Sequence, residues 1–195
     1  MKTEKNQGFT LVEVLMAIMI VGILAAVAIP AMGNFIRNSR ITASVNDFVT
    51  AVTIARSEAT KRRGIMTICP SNDPLAATPS CAETEWENGW LVFADADGDA
   101  VLDAGEEVVH RQAPLTEVFI RTSNDLEKYV SFSSRGETRS TTGASVTGNL
   151  VVCDDRGIQS IDDVSTARGL VISRTGRAQS LRYQTEITAL DIDCP

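Results

Sequence analysis

Histidine is nearly missing from this sequence: His110 is the sole example among 195 residues. The four cysteines include no Cys-x-x-Cys pair, so the usual ligand spacing of a zinc centre is missing too. There is no glycine-rich loop of the kind that cradles phosphates. Together these gaps leave an enzyme without parts, and neither catalysis nor an organic cofactor is expected. His110 lies in an apolar-alternating stretch beside Val108 and Val109 and reads as a structural residue. Basic residues are outnumbered as well, 18 Lys and Arg against 25 Asp and Glu, for a net charge of -7. Generic nucleic-acid binding needs clustered cations at phosphates, so this balance argues against it. No internal repeat or low-complexity tract is visible.

What the sequence does have is a long apolar run. Leu11 to Ile29 reads LVEVLMAIMIVGILAAVAI, nineteen residues, enough at about 1.5 Å rise per residue to cross about 30 Å of hydrocarbon. Lys2 and Lys5 precede it, which keeps the N-terminus cytoplasmic and sends the rest across the membrane. An ordinary secretory signal would also be apolar, and Ala26-Val27-Ala28 offers it a cleavage pattern. Three features oppose that reading. Glu13 sits inside the run, where a charge costs several kcal/mol unless partnered. Beyond the run, Ile41, Val45, Phe48, Val52, Ala55 and Ala59 form one helical stripe. Between run and stripe, Pro30 and Gly33 are consistent with a kink in one continuous rod. Lys61-Arg62-Arg63 then reads as the cationic last turn of that helix.

After Gly64 the pattern turns to short β-type runs: Ile65 to Cys69, Trp90 to Ala94, Glu107 to Arg111, Val118 to Thr122, Tyr129 to Ser133, Leu150 to Cys153, Leu170 to Ser173 and Gln179 to Tyr183. Ser71 to Ser80 and Ser134 to Gly148 read as surface loops. The expected class is α+β, a long N-terminal helix packed on an antiparallel β-sheet head. All four cysteines lie in the head, and an even number in an exported domain favours disulfides, for which three pairings exist. The twelve-residue step from Cys69 to Cys81 suggests one local loop. That leaves Cys153 to hold the C-terminal tail through Cys194.

Two charged segments are candidate sites. Asp95, Asp97, Asp99, Asp103 and Glu106 occupy positions 1, 3, 5, 9 and 12 of a twelve-residue loop, the spacing that presents oxygens to calcium. The sixth position, where that loop needs glycine, is Ala100, so a hairpin with solvated carboxylates is the competing reading. Near the C-terminus, Arg168, Arg174, Arg177 and Arg182 fall on one expected hairpin with Thr175-Gly176 at its turn and Tyr183 nearby. Four such guanidiniums could hold phosphates. Equally, they could keep an edge strand soluble.

The residues Gly8-Phe9-Thr10-Leu11-Val12-Glu13 resemble the prepilin peptidase site of type IV pilins, with Pro30 where pilins place a helix proline. The resemblance implies cleavage between Gly8 and Phe9, N-methylation of Phe9, and a role for Glu13 in assembly register through the N-terminal amine of a neighbouring subunit. In the head, Trp86-Glu87-Asn88-Gly89-Trp90-Leu91-Val92-Phe93, the acidic segment after it, and Gly169-Leu170-Val171-Ile172 ahead of Ser173-Arg174-Thr175-Gly176-Arg177 are similar to the GspH/FimT class of minor pilins. The resemblance implies a type IV pilin-like fold divided as leader 1–8, membrane and assembly half of the helix 9–30, amphipathic half 31–63, and periplasmic head 64–195. The implied function is that of a minor pilin supporting pilus assembly, twitching or DNA uptake, with the H-type minor pseudopilin of type II secretion as the alternative. The implied partners are other pilins, the prepilin peptidase and the inner-membrane assembly platform. Some members of the class bind DNA through Gly-Arg-x-Arg. Here Gly176-Arg177-Ala178 matches its start and Gln179 replaces the second arginine, so Arg174, Arg177 and Arg182 are the candidate DNA contacts.

Overall fold

The computed structural model describes residues 9–123, 126 and 128–194. Its first element, α1, is one helix spanning Leu11–Arg62 and running on through Pro30. The chain divides into two compact units, with the boundary inside this helix between Ser39 and Arg40.

In the first unit the large apolar side chains of α1 are exposed, from Leu11 to Ile36. In a water-soluble fold such a surface would be expelled from solvent, so the unit is built for an apolar surrounding. α1 passes both tests of a membrane span, length and composition.

The second unit is the head. Its part of α1 ends at Arg62, the following Arg63 takes a left-handed conformation (φ 54°), and the Gly64 N–H donates to the Ala59 carbonyl at 3.1 Å. The strands follow as β1 (Ile65–Pro70), β2 (Trp90–Asp95), β3 (Val108–Gln112), β4 (Phe119–Thr122), β5 (Val130–Phe132), β6 (Thr138–Arg139), β7 (Gly148–Cys153), β8 (Ser160–Ile161), β9 (Val164–Ile172) and β10 (Ala178–Tyr183). A 3₁₀ turn, Trp86–Asn88, precedes β2, and a short helix α2 (Gln184–Thr188) follows β10.

The strands form two antiparallel sheets, ordered β3-β2-β1-β5-β6 and β10-β9-β7-β4, rather than the one sheet expected from sequence. The segment 134–148, expected as a loop, contains β6, and β9 begins at Val164, well before Leu170. Both differences arise from pairing. β6 is two residues held by Ser131 and Phe132, and the first half of β9 is polar but paired to β7 and β8.

One core joins α1 to both sheets. Ile41, Val45, Phe48, Val52, Ala55 and Ala59 are all buried, and Ala51 joins them. They pack with Met66, Ile68, Trp90 and Phe132 of the first sheet and Ile120, Leu150, Leu170 and Ile172 of the second. Phe48 meets both indoles edge-on, with ring centroids 5.3 Å from Trp86 and 5.3 Å from Trp90. The Trp86 Nε1–H donates to the Leu126 carbonyl at 3.1 Å.

Each sheet carries a smaller apolar cluster on its other face, and each of these contains a disulfide. Cys69 is bonded to Cys81 beside Leu91 and Phe93. Cys153 is bonded to Cys194 beside Val151, Ala167 and Ile187, so the C-terminal segment is fastened over the second sheet.

Candidate functional site

At the start of α1, the Glu13 N–H donates to Thr10 Oγ1 at 3.3 Å, and the Thr10 N–H donates to Glu13 Oε2 at 3.5 Å. This reciprocal pair is a capping box, satisfying two amides that the first helical turn leaves open. The positive end of the helix dipole also favours a carboxylate there. The motif is legible as Thr10-x-x-Glu13, yet reading Glu13 only as a charge within an apolar run overlooks it. Phe9 precedes the cap and is 84% exposed. Gly8 and the rest of the expected leader lie outside the described residues. Pro30 lies within the helix.

The acidic hairpin joins β2 to β3, which pair directly from Trp90↔Gln112 to Phe93↔Val108 with one register shift. Asp95 is buried and fully engaged. Its Oδ2 accepts Thr67 Oγ1–H at 2.7 Å and the Ala100 N–H at 3.1 Å, and its Oδ1 accepts the Gly98 N–H at 2.7 Å. Ala100 turns the chain at φ 67° where a calcium loop would use glycine. Asp95, Asp97 and Asp99 each bring a carboxylate oxygen within 4.8 Å of the others. Glu106 is directed to the backbone instead, accepting the Ala96 N–H at 2.6 Å and the Asp103 N–H at 3.0 Å. The five carboxylates therefore divide into a group of three and a loop-bracing glutamate, with Asp103 outside the group of three.

The arginines expected on one hairpin separate into two places. Arg177 lines a groove of about 450 Å³ at the β9–β10 turn, with Arg56 and Thr60 of α1 and Arg135. There Arg56 Nε–H donates to the Gly136 carbonyl at 3.1 Å, and Arg135 pairs with Glu137 at 2.9 Å. Arg174 lies on the same turn and gives its carbonyl to the Thr138 N–H at 3.0 Å. At the other end of β10, within the register shift between Leu181 and Tyr183, Arg182 shares a smaller groove with Arg168, Thr42, Val45 and Asn46. Tyr183 is exposed nearby. The strands hold the two groups apart, so they do not form one surface.

Residues 44–176, most of the head, match the family described as Type II transport protein GspH. The chain belongs to the GspH family. Residues 4–29 match the Prokaryotic N-terminal methylation motif, which adds the pilin-type N-terminus to the GspH-type head. This GspH-family chain is a minor pilin or pseudopilin. Among curated relatives, a Fimbrial protein of Pseudomonas aeruginosa is 31% identical over 98 residues, 50% of this chain and 56% of that one. Prepilin peptidase-dependent protein D of Escherichia coli (strain K12) is 41% identical over 46 residues, 24% of this chain and 32% of that one. The chain thus spans about half the length of the fimbrial relative and a third of the other. Among solved structures, the type IV minor pilin FimU of Pseudomonas aeruginosa (strain PAO1) superposes with TM-score 0.52 at 17% identity, covering 77% of this chain and 94% of FimU. That likeness is one of fold.

Proposed function

We propose that this chain is a minor pilin of a type IV pilus, cut by a prepilin peptidase between Gly8 and Phe9, methylated at Phe9, and held in the inner membrane by α1 with its head in the periplasm until an assembly platform draws it into the fibre. The observation that carries the reading is the exposed apolar surface of α1 from Leu11 to Ile36, most of which lies within the methylation-motif match at residues 4–29. Such a surface is served first by lipid and then by neighbouring helices in a fibre, where packing replaces lipid contact. Glu13 holds the Thr10 amide in the single chain. In the fibre its carboxylate pairs with the N-terminal amine of the next subunit, an exchange of a weak cap for a charge pair in an apolar setting.

Intact-mass analysis and N-terminal sequencing, from cells with and without the prepilin peptidase, test this. A mature chain starting at methylated Phe9, and only when the peptidase is present, supports the reading. A chain starting at Ile29 would mean ordinary signal cleavage and would overturn it. Glu13→Gln should leave the head folded yet lower incorporation into fibres sharply.

The second reading, a minor pseudopilin of type II secretion, is favoured by the description of the matching family. A deletion strain separates the two. Loss of surface pili or twitching with intact protein export indicates the pilus, and the converse indicates the secretion system.

A further inference from the structure

We infer that the groove between the start of the head's helix and the far end of β10 is a binding site for a phosphate-class oxyanion, held by Arg168 and Arg182. On β9, residues 168, 170 and 172 point to one face, the face on which Leu170 and Ile172 enter the main core against α1. Arg168 therefore continues an apolar row with a guanidinium, placed under Thr42, Val45 and Asn46 of α1. On β10, Ser180 and Arg182 line the same groove. Two cations are thus brought together in a half-enclosed place with hydroxyl and amide groups around them.

Like charges placed together in a partly desolvated site repel each other, and an anion between them removes both penalties. Burial depresses the pKa of the Arg168 guanidinium, and the neighbouring Arg182 charge depresses it further. Arg168 Nη1 donates to the Ser165 carbonyl and, at 2.9 Å, to the Ala167 carbonyl, which fixes its position. Among the described residues neither arginine pairs with a carboxylate, whereas Arg40, a short way up the same helix, is taken up by Glu117. A fixed and a free guanidinium facing one space suit the forked recognition of a tetrahedral oxyanion.

The size of the groove narrows the ligand. At about 190 Å³ it is smaller than the pockets of roughly 300–1,000 Å³ that hold drug-sized molecules, so it accommodates one phosphate group rather than a nucleotide. Among the described residues no aromatic side chain lines it, so these residues offer no base-stacking platform. Dissolved phosphate and the headgroup of an anionic phospholipid share the required chemistry. Thr42 follows Ile36, the last exposed large apolar residue of α1, by six positions, which makes the headgroup a natural source for a membrane-held chain.

The test uses the full chain in dodecyl maltoside, following the Nε–H signals of Arg168 and Arg182 by NMR during addition of inorganic phosphate. The expected result is saturable displacement of both signals, absent with chloride at equal ionic strength. Affinity should fall about tenfold or more in Arg182→Gln, which lies on an exposed edge, and stay unchanged in Arg177→Gln at the distant turn. Arg168→Lys, which keeps the charge but loses the fork, should also weaken binding. The same signals are then compared in nanodiscs of phosphatidylglycerol and of phosphate-free digalactosyldiacylglycerol. Displacement by phosphatidylglycerol alone identifies the headgroup as ligand, and a response confined to dissolved phosphate identifies the free anion. The nanodisc arm rests on the membrane-held reading of α1 and the phosphate arm does not, so the two can fail separately. Non-saturable or chloride-like responses in both arms, or full binding by Arg182→Gln, would overturn the site. So would displacement by a DNA oligonucleotide that Arg177→Gln weakens equally, since that would make the arginines one extended strand-binding face.

Discussion

The two units share one helix and treat its apolar residues in opposite ways. Before Ser39, Leu15, Ile20 and Leu24 are more than half exposed, whereas after Arg40, Phe48, Val52 and Ala55 are almost wholly buried. Helicity alone does not separate them, since both stretches lie in α1. Pattern does. The first stretch is apolar all round and needs a surrounding, while the second is apolar on one stripe and needs a neighbour that the chain itself supplies. Stability of the head should therefore depend on the second stretch and be indifferent to the first.

The sharpest way to break that comparison is to shave the same kind of side chain in each stretch. Phe48→Ala removes the ring that touches both indoles and should destabilise the head by about 3–5 kcal/mol. Ile20→Ala in the exposed stretch should leave it unchanged. Both tryptophans, Trp86 and Trp90, lie in the head, so their fluorescence during denaturation in detergent reads that unit alone. A comparable loss from Ile20→Ala would mean that the two units are energetically one.

Next in size are the disulfides, which exist only in the head. Chain-entropy arguments assign about 4 kcal/mol to Cys153–Cys194, which closes a 41-residue separation, and about 3 kcal/mol to Cys69–Cys81, which closes 12. Cys194→Ser should also expose Ile187 and its cluster, detectable as faster amide exchange at Val151 and Ala167. Equal losses from both bonds, with unchanged exchange, would show that the C-terminal segment is held by packing alone.

A smaller effect separates two aspartates of one hairpin. Asp95→Asn leaves buried donors from Thr67, Gly98 and Ala100 short of an acceptor and should cost about 1–3 kcal/mol in thermal unfolding. Asp97→Asn, exposed on the same loop, should cost nothing measurable.

This hairpin also shows where sequence reading stops. The helix, its stripe and most strands were legible because each is a local pattern that burial reinforces. Asp95 and Asp97 look alike in a row of alternating acids, and only the pairing of Ile65 with Asp95 puts one of them under Thr67. The partition into two sheets was hidden for the same reason, since it depends on which strands meet. So was the separation of Arg177 from Arg182, which needs the length of β10 and its register shift. The capping box of Thr10 and Glu13 is the reverse case, a local signal present in the sequence and passed over in favour of the charge.

The smallest expected effect concerns the charged end of α1, which has no counterpart in the exposed stretch. Glu58 accepts Arg62 at 2.7 Å and Lys61 at 3.1 Å, and Arg62 reaches across to Glu107 at 2.6 Å. Hydrogen bonding to Arg62 first, and to Lys61 second, holds Glu58 below the usual carboxylate value, and Arg62 does the same for Glu107. A carboxylate whose pKa is lower in the folded state than in the unfolded chain stabilises the fold fully above its unfolded pKa. That contribution is lost as pH falls through the folded pKa. The window therefore opens just below pH 4.5, the reference for both glutamates. These side chains meet solvent, so the gain is small and salt-sensitive. Unfolding midpoints of the parent should drop slightly more between pH 5 and about pH 3 than those of Glu107→Gln, and the gap should close in roughly 1 M salt, where charges are screened within about 3 Å. If the gap survived high salt, the pair would be acting through packing of the Arg62 stem rather than charge, and the end of α1 would belong with the buried stripe instead of standing apart from it.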